Sequence, residues 1–119
     1  MGPMEQITVL GCGQMGLVMA DAALAAGQGP VRLLGRPGPQ VDSLRTDRTN
    51  PRALPDFRLP EPIEVFDDPV AALEGTTMVL HAVPVQATAA VWADLARVYH
   101  TNLLYLPALE TYAIAGRMA

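Results

Sequence analysis

A glycine-rich turn between two strongly patterned segments constrains the fold of this chain more than any other feature. Residues 7–10 (Ile-Thr-Val-Leu) form a short apolar run that stops at Gly11, which is typical of a buried strand. The Ala-, Leu- and Met-rich segment from Gln14 to Ala26 closes at Gly27 and predicts a helix followed by its stop signal. A strand, a tight turn and a helix in this order begin a βαβ unit.

The same alternation continues along the chain. Further strands are predicted over residues 31–34, 63–66, 78–82 and 103–106, and further helices over 40–45, 69–74, 85–99 and 110–118. The stretch from Pro37 to Pro62 carries six prolines and predicts an extended excursion after the second helix. We therefore expect one Rossmann-type, doubly wound α/β domain over residues 1–119, with about five mainly parallel strands.

Composition excludes several classes of protein. With 119 residues, 50% of them hydrophobic and 17% charged, the chain is large enough for one folded domain and too apolar to be disordered. It has no apolar run of the roughly 20 residues that a membrane span needs. A net charge of −4 argues against nucleic acid as a partner. A single cysteine and two histidines argue against disulfides and metal sites, so we expect a cytoplasmic protein without a metal.

The turn itself fits the pattern Gly-x-Gly-x-x-Gly at residues 11–16. Between a strand and a helix, this pattern is typical of dinucleotide binding. Gly11 allows the tight turn, Gly13 lets a pyrophosphate approach the main chain, and Gly16 lets the helix pack closely. The N–H groups and the positive end of the helix dipole then face the phosphates.

Two other strand ends extend the predicted site. Arg36 follows the second strand, where an NAD-preferring site usually has an acidic residue for the ribose hydroxyl. A guanidinium there can pair with a 2′-phosphate, which favours NADP without excluding NAD. Val83 and Pro84 end the fourth strand, and we expect their backbone to border the nicotinamide half of the cofactor.

Several short motifs are in register with one enzyme family. They are Gly35-Arg36, Asn50-Pro51 with Leu54-Pro55, Leu59-Pro60, and Ala82-Val83-Pro84-Val85-Gln86. From about Ile7 to Leu106 the chain resembles the N-terminal domain of NAD(P)-dependent glycerol-3-phosphate dehydrogenase. The resemblance implies the cofactor-binding domain of an oxidoreductase that interconverts sn-glycerol 3-phosphate and dihydroxyacetone phosphate.

The departures from the family pattern bear on activity. Gln14 and Met15 stand where the family usually has Ser and an aromatic residue beside the cofactor, so the resemblance places both residues at the cofactor. Pro107 stands where the family has an active-site Lys, and the chain contains no Lys at all. The family's second essential Lys belongs to a helical C-terminal domain that we expect this chain to lack. We therefore assign no catalytic residue and expect the chain alone to bind NAD(P) without turnover.

Two alternatives stay open at this point. The chain can be a catalytically inactive, stand-alone dinucleotide-binding or redox-sensing module. It can also be a fragment of a β-hydroxyacid dehydrogenase, whose turn often reads Gly-x-Gly-x-Met-Gly, although the Asn50-Pro51 and Leu54-Pro55 segment disfavours that family. Exposed apolar surface around residues 104–114 further predicts a homo-oligomer or contact with the missing domain.

Overall fold

A computed structural model describes residues 5–27 and 29–83 of the chain. Four strands form one parallel sheet in the order β3-β2-β1-β4. The strands are β1 (Ile7–Leu10), β2 (Val31–Leu34), β3 (Glu64–Phe66) and β4 (Met78–His81), and the helices are α1 (Gln14–Ala25), α2 (Pro39–Thr46) and α3 (Pro69–Leu73). Each of these elements was predicted within two residues at either end. The predicted strand at 103–106 and the helices at 85–99 and 110–118 lie outside the described residues.

The helices cover both faces of the sheet. Because side chains alternate across a strand, β1 buries Val9 toward one face and Leu10 toward the other. Val9 belongs to a cluster with Leu17 of α1 and Leu44 of α2. Leu10 instead packs in a second cluster with Leu73 of α3. This two-sided packing confirms the doubly wound architecture.

Buried polar groups hold α3 against its face of the sheet. The Thr8 hydroxyl donates to the Ala72 carbonyl oxygen at 3.0 Å. The Arg32 guanidinium donates to the same oxygen at 3.0 Å and to the Glu74 carbonyl oxygen at 2.7 Å. A cation at the carbonyl end of a helix also interacts favourably with the helix dipole. These bonds satisfy carbonyl groups that a five-residue helix leaves without internal partners.

The proline-rich excursion is packed against the domain rather than extended, so this part of the prediction was wrong. Leu59 and Ile63 are fully buried in the cluster that contains α1. Arg48 has a φ of 63°, and its guanidinium donates to the Pro60 carbonyl oxygen at 2.6 Å and to that of Ile63 at 2.5 Å. The chain folds back because these internal bonds replace the regular pairing that the prolines prevent.

Candidate functional site

The carboxyl ends of the strands meet at one edge of the sheet. Hydrogen bonds continue one residue past β1 and β2, from the Gly11 N–H to the Leu34 carbonyl oxygen at 2.8 Å and from the Gly35 N–H to that of Phe66 at 3.0 Å. On the other side of β1, the Ala82 N–H donates to the Leu10 carbonyl oxygen at 2.9 Å. The chain leaves β1 toward β2 but returns to the other side of β1 as β4. Ligands of such sheets bind where the strand order reverses in this way.

Two glycines bring the backbone segments of this edge into contact. Gly11 has a φ of 109°, and a Cβ there would meet the Ala82 carbonyl oxygen at 2.7 Å. A Cβ at Gly16 would overlap the carbonyl group of Gly11. Any side chain at either position would therefore push α1 or β4 away from the turn. This packing agrees with the tight turn predicted at Gly11 and with the close helix packing predicted at Gly16.

The turn presents main-chain donors at the start of α1. Gly13 is the N-cap residue, and no side chain caps the helix. Within the described part of the chain, no hydrogen bond uses the N–H of Gly13, Gln14 or Met15, and the first turn of α1 contains no acidic residue. A Cβ at Gly13 would meet no atom of residues 5–27 or 29–83, its chain neighbours aside, within 4 Å. Unpaired N–H groups at the positive end of a helix dipole, beside open space, form an anion site.

A buried asparagine braces this turn, and the sequence analysis did not assign it a role. Asn50 is 1% exposed, and its Nδ2 donates to the Cys12 carbonyl oxygen and to Gln40 Oε1, both at 2.8 Å. The main-chain carbonyl oxygen of Asn50 accepts from the N–H groups of Ala53 and Leu54. The Asn50-Pro51 pair served only as a family motif in the sequence. Asparagine is common at the start of turns, so its presence at position 50 does not by itself indicate a contact. The sequence therefore contained no signal for its hydrogen bond to residue 12, which lies 38 positions away.

Arg36 occupies the end of β2 without a partner. Its side chain is exposed and makes no hydrogen bond or ion pair with residues 5–27 or 29–83. The neighbouring arginine on α2 differs, because Arg45 pairs with Asp67 at 3.1 Å. That pair also neutralises the carboxylate that follows β3. The segment that follows β2 therefore offers a cation that is unpaired within the described residues.

Val83, Cys12 and His81 lie in or beside the hydrophobic core. Val83 follows β4 and packs with the α3 cluster, while Pro84 lies outside the described residues. Cys12 packs beside the core, where burial raises the pKa of its thiol, so it does not have the lowered pKa of a reactive thiol. His81 is 9% exposed within β4, and burial lowers its pKa. Both residues therefore have the surroundings of packing residues.

The described residues contain neither a membrane-spanning helix nor a cluster of metal ligands. No helix there is both long and apolar enough to cross a membrane. No group of three or more His, Cys, Asp or Glu residues in these ranges is arranged to hold a metal ion.

These features define the class of the protein. A parallel sheet that reverses its order beside β1, with a glycine turn opening directly onto α1, is a Rossmann-type dinucleotide-binding domain. A crystal structure of glycerol-3-phosphate dehydrogenase from Coxiella burnetii is similar, with a TM-score of 0.71 and 33% identity over 77% of this chain and 28% of that chain. The structure from Plasmodium falciparum, at 21% identity and a TM-score of 0.70 over 82% of this chain and 29% of that chain, supports the fold alone.

Sequence comparison identifies the family. The model of the NAD-dependent glycerol-3-phosphate dehydrogenase N-terminus matches residues 6–109, and the chain belongs to this family. A glycerol-3-phosphate dehydrogenase [NAD(P)+] from Geobacillus kaustophilus is 42% identical over 92 residues, which cover 77% of this chain and 26% of the relative. The chain thus spans about a quarter of the length of the curated relatives it matches. The family assignment confirms the predicted resemblance and the cofactor class, NAD(P).

Proposed function

We propose that this chain binds NAD(P) at the carboxyl edge of its sheet, as the cofactor-binding part of a glycerol-3-phosphate dehydrogenase. The observation that carries the proposal is the row of unpaired N–H groups at residues 13–15 beside the open space at Gly13. Three or more main-chain donors that point at one place are suited to a diphosphate. We propose Gly11, Gly13, Gln14, Met15, Gly16, Arg36, Val83 and Pro84 as the cofactor-binding residues.

Each part of the site has a separate task in this proposal. The N–H groups at the start of α1 bind the diphosphate, and Gly11 and Gly16 hold the turn in the shape that exposes them. Arg36 binds the ribose end, where it attracts a 2′-phosphate by charge and hydrogen bonding. Val83 and Pro84 follow β4, on the other side of the strand-order reversal, and border the nicotinamide end. Met15, whose side chain is 54% exposed, lies in the first turn of α1 and covers the cofactor from that side.

The reaction assigned to this family determines what else is needed. When bound, NAD(P) supplies or accepts the hydride that interconverts glycerol 3-phosphate and dihydroxyacetone phosphate. The residues described here orient the cofactor, but none of them is placed to move the proton at the substrate oxygen. We propose that the chain needs further residues, of the kind that a helical C-terminal domain supplies in the family, and that residues 1–119 alone bind without turnover.

Three related predictions go with this proposal. We propose that residues 1–119 form a single domain, and the match over residues 6–109 supports one continuous unit. Association with a second copy or with a helical domain is proposed from the apolar composition of residues 104–114. A cytoplasmic location stays a prediction based on composition and on the single cysteine.

Calorimetric titration of the 119-residue chain with NADH and NADPH tests the proposal. We expect saturable binding of both cofactors, and no loss of NADH absorbance when dihydroxyacetone phosphate is added to the chain and cofactor. ADP-ribose is a useful second titrant, because it contains the diphosphate but lacks nicotinamide. Absence of saturable binding by a folded chain at about 1 mM NADH, a weak-binding limit, would overturn the assignment.

A second function is favoured by one observation, the absence of Lys from the chain, including the position of Pro107. In that case the chain is a stand-alone module that senses the ratio of reduced to oxidised cofactor. Comparison of NADH with NAD+ affinity tests this second function, because equal affinities would exclude it. A module that senses redox state must bind them with different affinities, whereas a cofactor-binding domain has no such requirement.

A further inference from the structure

We propose that Asn50 is a positioning residue for the diphosphate site: its side-chain amide fixes the peptide between Cys12 and Gly13 so that the Gly13 N–H points outward at the cofactor. This inference rests on the proposed binding of NAD(P). It adds a residue that lies outside the glycine turn and comes from the proline-rich excursion. Asn50 is not itself expected to touch the cofactor.

A hydrogen bond to the Cys12 carbonyl oxygen fixes the orientation of the peptide between Cys12 and Gly13. The described residues contain no cis peptide bond, and in a trans peptide the C=O and the following N–H point in opposite directions. The Cys12 carbonyl oxygen accepts from Asn50 Nδ2 at 2.8 Å, and Asn50 is 1% exposed. The carbonyl therefore points into the protein. The Gly13 N–H therefore points away from Asn50, and no hydrogen bond within the described residues uses it.

Without the bond from Asn50, the peptide between Cys12 and Gly13 could rotate to the opposite orientation. Gly13 has no Cβ, and glycine tolerates most combinations of φ and ψ. Among the described residues other than its chain neighbours, no atom lies within 4 Å of the position of its missing Cβ. Rotation of the peptide between Cys12 and Gly13 would turn a carbonyl oxygen toward the phosphates, which repels them. The hydrogen bond from Asn50 Nδ2 to the Cys12 carbonyl oxygen opposes this rotation.

Further hydrogen bonds fix the position of Asn50 itself. Its Nδ2 also donates to Gln40 Oε1 at 2.8 Å, and its backbone carbonyl oxygen accepts from Ala53 and Leu54. Both amide hydrogens are therefore used, and the side chain is fixed from α2 and from the excursion together. The side chain of Cys12 is held as well, because a Cβ at Gly35 would meet its Sγ at 2.8 Å. Residue 12 is thus anchored through both its side chain and its carbonyl group.

Asn50→Asp and Asn50→Ala are the test variants, and Ser43→Ala is the matched control. The Ser43 hydroxyl donates to the Thr49 carbonyl oxygen at 2.7 Å, so its loss loosens the same segment without touching the glycine turn. Loss of one hydrogen bond to a charged group costs about tenfold to a hundredfold in affinity. We expect both Asn50 variants to weaken NADH and NADPH alike by at least about tenfold, and Ser43→Ala to stay within about twofold of the wild type.

Nuclear magnetic resonance of the wild-type chain provides a readout that does not depend on the variants folding. Titration with NADH should shift the Gly13 amide resonance strongly while the Asn50 side-chain amide resonance stays nearly in place. In a folded Asn50→Ala chain without cofactor, the Cys12 carbonyl carbon resonance should move, since that oxygen loses its donor. This cofactor-free shift tests the brace even if the wild type binds no NADH, which would contradict only the proposed function.

The proposal is overturned by either of two results. One is a folded Asn50 variant that binds NADH as well as Ser43→Ala does. The other is a wild-type titration in which NADH binds but leaves the Gly13 amide resonance unchanged. The first result includes an equal loss of affinity in Asn50→Ala and Ser43→Ala, because the effect would then come from loosening of the segment.

Discussion

Replacement of Gly13 by Asp should increase the stability of the protein while it removes cofactor binding. Gly13 has φ −79° and ψ −168° and is the N-cap residue of α1. Asp is preferred over Gly at an N-cap by a few tenths of a kcal/mol. A carboxylate at the positive end of a helix dipole adds about 0.3–1 kcal/mol. The free energy of unfolding should therefore rise by about 0.5–1 kcal/mol.

The same carboxylate should prevent binding of the diphosphate. A Cβ at Gly13 would meet no atom of the described residues, its chain neighbours aside, within 4 Å, so the new side chain enters the space that we assign to the phosphates. Two unit charges about 4 Å apart repel each other by roughly 4 kcal/mol at the dielectric constant effective near a protein surface. This repulsion corresponds to a loss of roughly a thousandfold in NADH affinity.

Urea unfolding without cofactor and calorimetric titration with NADH measure the two effects. Gly13→Asn is the matched control, because Asn has a similar size and N-cap preference but no charge. It should bind NADH more weakly than the wild type through steric contact, but better than Gly13→Asp. A folded Gly13→Asp chain that retains NADH affinity within about tenfold would show that the phosphates do not approach this residue.

Three further predictions follow from the same geometry. Arg36→Ala should weaken NADPH by about tenfold and NADH by less than about twofold, the loss expected for one exposed charge-assisted contact; equal losses in calorimetry would exclude Arg36 as the residue that binds the 2′-phosphate. Gly16→Ala should lower the free energy of unfolding in urea by at least about 1–3 kcal/mol, because its Cβ overlaps the Gly11 carbonyl, and an unchanged midpoint would contradict this contact. Burial lowers the pKa of His81 from 6.5, so its contribution to the free energy of unfolding should be fully present above about pH 6.5 and be lost as the pH drops through the lowered pKa. His81→Gln should make the free energy of unfolding depend less on pH in this range, and an equal slope in both proteins would refute the prediction.

The sequence predicted those parts of the fold that local rules determine. The strand that stops at Gly11 followed from the short apolar run, and the structure contains it as β1. The helix predicted over residues 69–74 is α3, which Asp68 caps through a bond from the Val70 N–H to Asp68 Oδ1 at 3.2 Å. The place of the site followed from topology, because parallel strands bring their carboxyl ends to one edge.

The excursion could not be predicted in the same way. Prolines indicate where regular pairing is broken, but they do not show what replaces it. Here the replacement consists of long-range contacts, such as those of Arg48 with Pro60 and Ile63 and that of Asn50 with Cys12. Single positions of common polar residues carry no signal for such contacts. The buried brace of the glycine turn was therefore missed, although the turn itself was recognised.

The arrangement of donors also explains why the departures from the family pattern at Gln14 and Met15 are compatible with cofactor binding. We propose that main-chain N–H groups bind the diphosphate, and a change of side chain at either position leaves these groups in place. In the proposed site, Gly11, Gly16 and Asn50 shape the main chain, whereas Arg36, which follows a different strand, supplies the charge for the ribose end. Affinity for the diphosphate and preference between NAD and NADP can therefore change independently, so a substitution at Arg36 should alter the preference without altering the turn.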